Sequence, residues 1–182
     1  MGKAKLVKFE ELNSDTQAVY DVLNGESDLP CILIGTNFLD QILASLVEQT
    51  FIKSSVAQKM LNPNGGCIGT FSARTDLAYC LELINKKQYH DLVAIGEIRN
   101  KFAHSHLALS FMDQEIMEKC NQLVAWQIFT LGNADEPQPE NITNKMLGME
   151  AKNQFKLSVV FLGNQLSLNF LEIRRKKGTK SV

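Results

Sequence analysis

The chain has 182 residues, 45% of them hydrophobic and 21% charged, with 19 basic residues against 20 acidic ones. That length buries a core without a metal or disulfide staple, and a formal net charge of -1 excludes a strongly basic nucleic-acid coat protein while leaving room for a local basic patch. Four prolines and eleven glycines, with no long polar tract, exclude a disordered or collagen-like chain.

Helical periodicity runs through the chain. A first short helix is predicted over Ser14 to Leu23, opened by Asn13 or Ser14 and closed by Asn24-Gly25. A second starts at Ser27 or Asp28, places Pro30 in its first turn, and continues through CILIGTNFLDQILASLVEQTFI, apolar on nearly every side. Such a helix belongs inside a bundle or at a subunit interface. A short helix over Ser55 to Leu61 leads into NPNGGCIG, the strongest loop signal in the chain. FSARTDLAYCLELI and NKKQYHDLVAIGEIRNKFAH read as the next two helices, joined by a tight turn at Asn85, with Leu92, Ile95, Ile98 and Phe102 forming a buried stripe in the second. SHLALSFM reads as a loop or a short extended piece, with Leu107 to Phe111 the one candidate strand. Asp113 caps a helix expected to reach about Leu131, and GNADEPQPEN is linker-like. Beyond it, Phe155, Val159, Leu162, Leu166, Phe170 and Ile173 step by threes and fours along an amphipathic helix ending in RRKKGTK. The expectation is an all-α multi-helix bundle of one domain over 1–182, with a main bundle at 1–131, a linker at 132–141 and a C-terminal helical segment at 142–178.

The opening residues carry no apolar signal-like stretch, and the longest uninterrupted apolar stretches, Cys31 to Gly35 and Leu157 to Gly163, are far shorter than a membrane span. A cytoplasmic chain without membrane contact is expected. Cys31, Cys67, Cys80 and Cys120 stand apart, without a C-x-x-C pair or a histidine at ligand spacing, so reduced thiols and no metal or cofactor are expected.

Few motifs carry chemistry. The glycines of NPNGGCIGT lack the Lys-Ser/Thr ending of a phosphate loop and read as a turn needing positive φ. LELINKKQYHD could be the turn of a helix-turn-helix, but the following helix carries Tyr89, His90, Asp91 and Glu97, with only Lys86 and Lys87 basic near its start, whereas a reading helix meets DNA with basic and amide groups. An αα-hairpin is the better reading. IRNKFAHSH gathers Arg99, Asn100, His104 and His106. An arginine that stabilises phosphorane-like charge and a histidine that moves a proton near neutral pH are the parts for cleaving RNA through its 2′-hydroxyl. The structural alternative pairs Arg99 with Glu97 or a neighbouring acid and sets His104 at the helix C-terminus. Arg74 reads as the partner of an acid across the bundle or as a contact residue, and Arg174, Arg175, Lys176 and Lys177 as phosphate contacts or dipole-compensating cations.

The segment from GCIGTFSARTDLAY through IRNKFAHS, followed by LSFMDQEIMEKC, resembles the mannitol operon repressor family of bacterial proteins. The resemblance covers about Cys31 to Cys120 and rests on GxxGxFSxRxDLAY from Gly66 to Tyr79, INxxxYxDL from Ile84 to Leu92 and IRNxFAH from Ile98 to His104. Glu82 stands where glycine is expected. This resemblance implies a helical bundle, a homodimer and a role in repressing a sugar-alcohol uptake operon, exercised through a protein partner or indirect nucleic-acid contacts. Arg99, four intervening residues and His104 also match the R-x4-6-H pattern of HEPN domains, some of which are metal-independent ribonucleases. That second resemblance implies Arg99 and His104 as a catalytic pair, with Asn100 orienting the phosphate. The first reading is a non-enzymatic regulator, with Arg74, Arg99, His104, Arg174, Arg175, Lys176 and Lys177 as candidate contacts; the second is the nuclease or its inactive relative.

Overall fold

A computed structural model describes residues 14–105, 108–127 and 151–178. Its helices, in chain order, are α1 (Ser14–Gly25), α2 (Asp28–Glu48), α3 (Ser55–Leu61), α4 (Phe71–Cys80), α5 (Lys86–His104), α6 (Gln114–Gln122) and α7 (Ala151–Gly178). No strand occurs among the described residues, and residues 108–111 run as loop and turn. Leu107, Leu131 and the linker expected at 132–141 lie outside them.

Two helices form the centre. α2 and α7 pack along each other; α2 also touches α1, α3, α4 and α5, while α7 touches α1, α5 and α6. Leu39, Leu43 and Leu46 of α2 meet a core completed by Leu92, Ile95 and Ile98 of α5 and by Phe155, Val159 and Leu162 of α7. The approach is close because two glycines stand in the seam. A Cβ on Gly35 would lie 3.2 Å from Phe155 and Val159, and one on Gly163 only 2.3 Å from the Phe38 ring.

The apolar pattern of α2 is therefore absorbed within one chain. Ile34, Phe38 and Ile42, off its main buried face, still pack partly against the core, and only Leu29 and Leu33 stay exposed. By length and composition alone α2 could cross a membrane, but its buried face belongs to this bundle. The same packing removes the reason for placing α2 at a subunit interface. α7 departs from its amphipathic reading in its first half, where Gln154, Lys156, Ser158 and Asn164 are buried with the apolar stripe.

Three helices end earlier than periodicity predicts. α2 stops at Glu48, four residues short of Ile52. α4 stops at Cys80, not Ile84. The Leu83 amide reaches back to the Ala78 carbonyl and the Glu82 amide to that of Tyr79, which is the Schellman pattern of helix termination. Glu82 occupies its left-handed position with φ 56°, so the conformation that suits glycine is kept without one, at a cost of about 1 kcal/mol. Asn85 then opens α5 with a reciprocal capping box to Gln88. α6 stops at Gln122 because the Asp91 carboxylate accepts the amides of Val124 and Ala125 and starts a fresh helical turn at 125–127.

Candidate functional site

The loop between α3 and α4 is built around backbone contacts that only glycine permits. Gly65 has φ 109°. A Cβ on Gly66 would meet the Met60 carbonyl oxygen at 2.3 Å, and one on Gly69 would meet that of Asn62 at the same distance. Arg74 clamps this loop to α2. Its guanidinium donates to both Asp40 oxygens at 2.6 and 2.7 Å, to the Leu61 carbonyl at 3.0 Å and to the Ile68 carbonyl at 3.2 Å. With its side chain 6% exposed, Arg74 takes the cross-bundle pairing role and leaves no face for a nucleic acid or partner.

The clamp sets the start of α4 beside α5, and a groove of about 780 Å³ opens between them and α2. Thr36, Asn37, Thr70, Ser72, Arg99 and Asn100 are among its polar lining. Arg99 and Asn100 are both exposed, and Arg99 donates to the Asn100 side chain at 3.0 Å. The pairing of Arg99 with Glu97 expected from sequence does not form, because Glu97 is held by Lys119 of α6. His104, also exposed, faces a separate depression of about 450 Å³ with Lys101, Asp113 and Glu115. Arg99 lines the groove and His104 the smaller depression, and His106 lies outside the described residues.

A third feature is the corner where the α4–α5 turn meets α7. Tyr79 stacks on Tyr89 at 4.6 Å, and the Tyr89 hydroxyl donates to Asp76 at 3.1 Å. Across the corner Gln88 donates to Gln165 at 2.7 Å and Asn169 to the Leu83 carbonyl at 2.9 Å. These bonds frame a depression of about 1020 Å³ bordered by Tyr79, Leu81 and Leu168 and by Lys176. Tyr79, Leu81, Leu168 and Leu171 are all exposed. Arg174, Arg175 and Lys176 are exposed on the last turns of α7, while the side chain of Lys177 lies outside the described residues. Periodicity missed this surface; its signal was Leu168 and Leu171, apolar residues off the Phe155–Ile173 stripe.

The corner is not a DNA-reading element. Asp91, on the helix that would enter the groove, is buried and capping 124–125, and Tyr89 is committed to Tyr79 and Asp76. Burial pushes the thiol of Cys31 up to about 11 and that of Cys120 up to about 12, so neither is a nucleophile at neutral pH. Cys67 and Cys80 are exposed.

The model of the mannitol repressor family matches residues 15–171. The chain belongs to the mannitol repressor family. This is a family of transcriptional regulators, and its match extends past the central motifs to include most of α7. No curated protein matches the chain. Among solved structures, the family member resembles one in the MtlR–HPr complex from Escherichia coli, with a TM-score of 0.62 and 22% identity over 84% of this chain and 98% of that one. It also resembles YggD of Shigella flexneri, a possible transcriptional regulator, with a TM-score of 0.60 and 13% identity over 85% of this chain and 97% of that one. Both likenesses are of fold. The nuclease reading gains no support from them.

Proposed function

We propose that this mannitol repressor family member regulates transcription through a protein partner that docks at the corner between the α4–α5 turn and α7. The observation that carries the reading is the exposure of Tyr79, Leu81 and Leu168 around one depression. Exposed apolar side chains ringed by polar groups are the composition of a docking surface. Here the rim carries both signs, with Glu82, Glu172 and Lys176 on its border. The complex of the Escherichia coli MtlR with HPr makes an HPr-type protein the partner to try first. Action in the cytoplasm follows from this reading, since that is where transcription occurs in bacteria.

The contribution of Arg174, Arg175, Lys176 and Lys177 is electrostatic. They complement the α7 C-terminus and speed encounter with an acidic rim. Titration calorimetry with HPr from the same cell tests the proposal on the full chain. Wild type should bind, and Leu168→Asp, at an exposed position on the border of the depression, should weaken binding by tenfold or more with its helicity unchanged. Equal binding by both proteins would move the partner off this corner. Steeply salt-dependent binding of duplex DNA, lost in Arg174→Ala with Arg175→Ala, would replace the protein partner by nucleic acid.

A further inference from the structure

The turn between α4 and α5 holds a residue that its backbone does not favour. Glu82 has φ 56°, the left-handed conformation that closes the Schellman pattern at the end of α4. Glycine adopts it freely, whereas a side chain there is destabilising. The charge is also of the wrong sign, since the C-terminal end of a helix is its negative pole.

Nothing among the described residues offsets either penalty. Glu82 is exposed, and its carboxylate enters no hydrogen bond or ion pair among them. The start of α5 takes its cap from Asn85 and Gln88 instead. The position is nonetheless rigid. The Glu82 amide donates to the Tyr79 carbonyl at 3.0 Å and the Leu83 amide to that of Ala78 at 2.9 Å, while Asn169 of α7 donates to the Leu83 carbonyl at 2.9 Å. Strained backbone that its surroundings hold in place is concentrated at functional positions.

Glu82 borders the same depression as the exposed Tyr79, Leu81 and Leu168. A carboxylate beside apolar surface loses water when a protein covers it, and then needs a cation to pair with. We propose that Glu82 selects the partner that docks here, its carboxylate receiving a lysine or arginine side chain that the partner presents next to an apolar patch. This rests on the docking reading above and adds the residue that discriminates. A neutral apolar surface would leave the carboxylate covered and unpaired, and an acidic one would be repelled. Arg174, Arg175 and Lys176 draw the partner's acidic rim at the end of α7, so opposite charges fix which way round it sits.

Calorimetry with the full chain and HPr from the same cell tests the assignment, beside thermal melts of each variant. Glu82→Gly should melt higher than wild type, because the left-handed strain is gone, and bind HPr about three- to tenfold more weakly. A glutamate that served only the turn would show no such opposition. Glu82→Gln, which keeps the side-chain length, should weaken binding by a similar factor and flatten its salt dependence. Glu82→Lys should lose tenfold or more, and changing one lysine or arginine of HPr to glutamate should restore it. Weakened binding by Leu168→Asp with undiminished binding by Glu82→Gly and Glu82→Gln would leave the corner standing and overturn the role of Glu82. Undiminished binding by Leu168→Asp would overturn the docking reading, and this assignment with it. A Glu82→Gly protein that melts lower than wild type would make the carboxylate a structural group and overturn the assignment alone.

Discussion

Asp91 is 3% exposed on α5 and holds the amides of Val124 and Ala125 at 2.9 and 2.7 Å. Burial raises its pKa above the ordinary 3.8; the two amides and the nearby His90 oppose the shift without cancelling it. The folded protein therefore binds this proton more tightly than the unfolded chain does. Above pH 3.8 the Asp91 contribution falls as pH rises and levels off beyond the raised pKa. Urea midpoints across that interval should show this component in wild type and lack it in Asp91→Asn. Asp91→Ala should lose about 1–3 kcal/mol at neutral pH, because two amides are left without an acceptor. The sequence placed Asp91 among polar residues that spoil a DNA-reading helix, which is correct as far as it goes. Its task could not be read there, because the amides it caps are more than thirty positions away and no local pattern announces them. Arg74 was partly legible: an arginine near a helix start asks for an acid across the bundle. That the acid is Asp40, and that the Leu61 and Ile68 carbonyls share the guanidinium, depends on the folded loop.

Helix existence followed from periodicity, whereas helix ends depended on tertiary contacts. The boundaries of α1, α3 and α5 and the start of α2 lie close to their caps and turn residues, because those signals act within a few positions. Periodicity overextends α4, since LELI continues an apolar pattern that a left-handed residue at Glu82 interrupts. NPNGGCIG reads as a turn requiring positive φ, and Gly65 meets that expectation. Gly66 answers to a different constraint. Carbonyl oxygens of Met60, Lys59 and Asn62 stand 2.3 to 2.7 Å from where its Cβ would lie, and backbone, unlike the tip of a side chain, cannot swing aside. Gly66→Ala should cost about 2–4 kcal/mol in chemical denaturation. It should also disturb the Arg74 clamp, which holds the Leu61 carbonyl at the end of α3 and the Ile68 carbonyl of the same loop.

At the scale of the molecule, the division into a main bundle at 1–131 and a later helical segment understates α7. Phe155, Val159, Leu162 and Leu166 are fully buried or nearly so and stand at the centre of the core. A fragment of residues 1–131 should therefore lack cooperative unfolding and near-ultraviolet dichroism, and adding residues 142–182 in trans should restore both. A sharp thermal transition from the fragment alone would return α7 to the periphery. The same arrangement bears on synthesis. At roughly 5–20 residues per second, α2 emerges many seconds before the helix that covers its buried face is made. Through that interval a long, apolar segment waits without its partner, which makes this chain a natural client of the chaperones that meet growing polypeptides. A pause in translation between α6 and α7 would lengthen the wait, so the pace of decoding sets how much of the protein escapes aggregation.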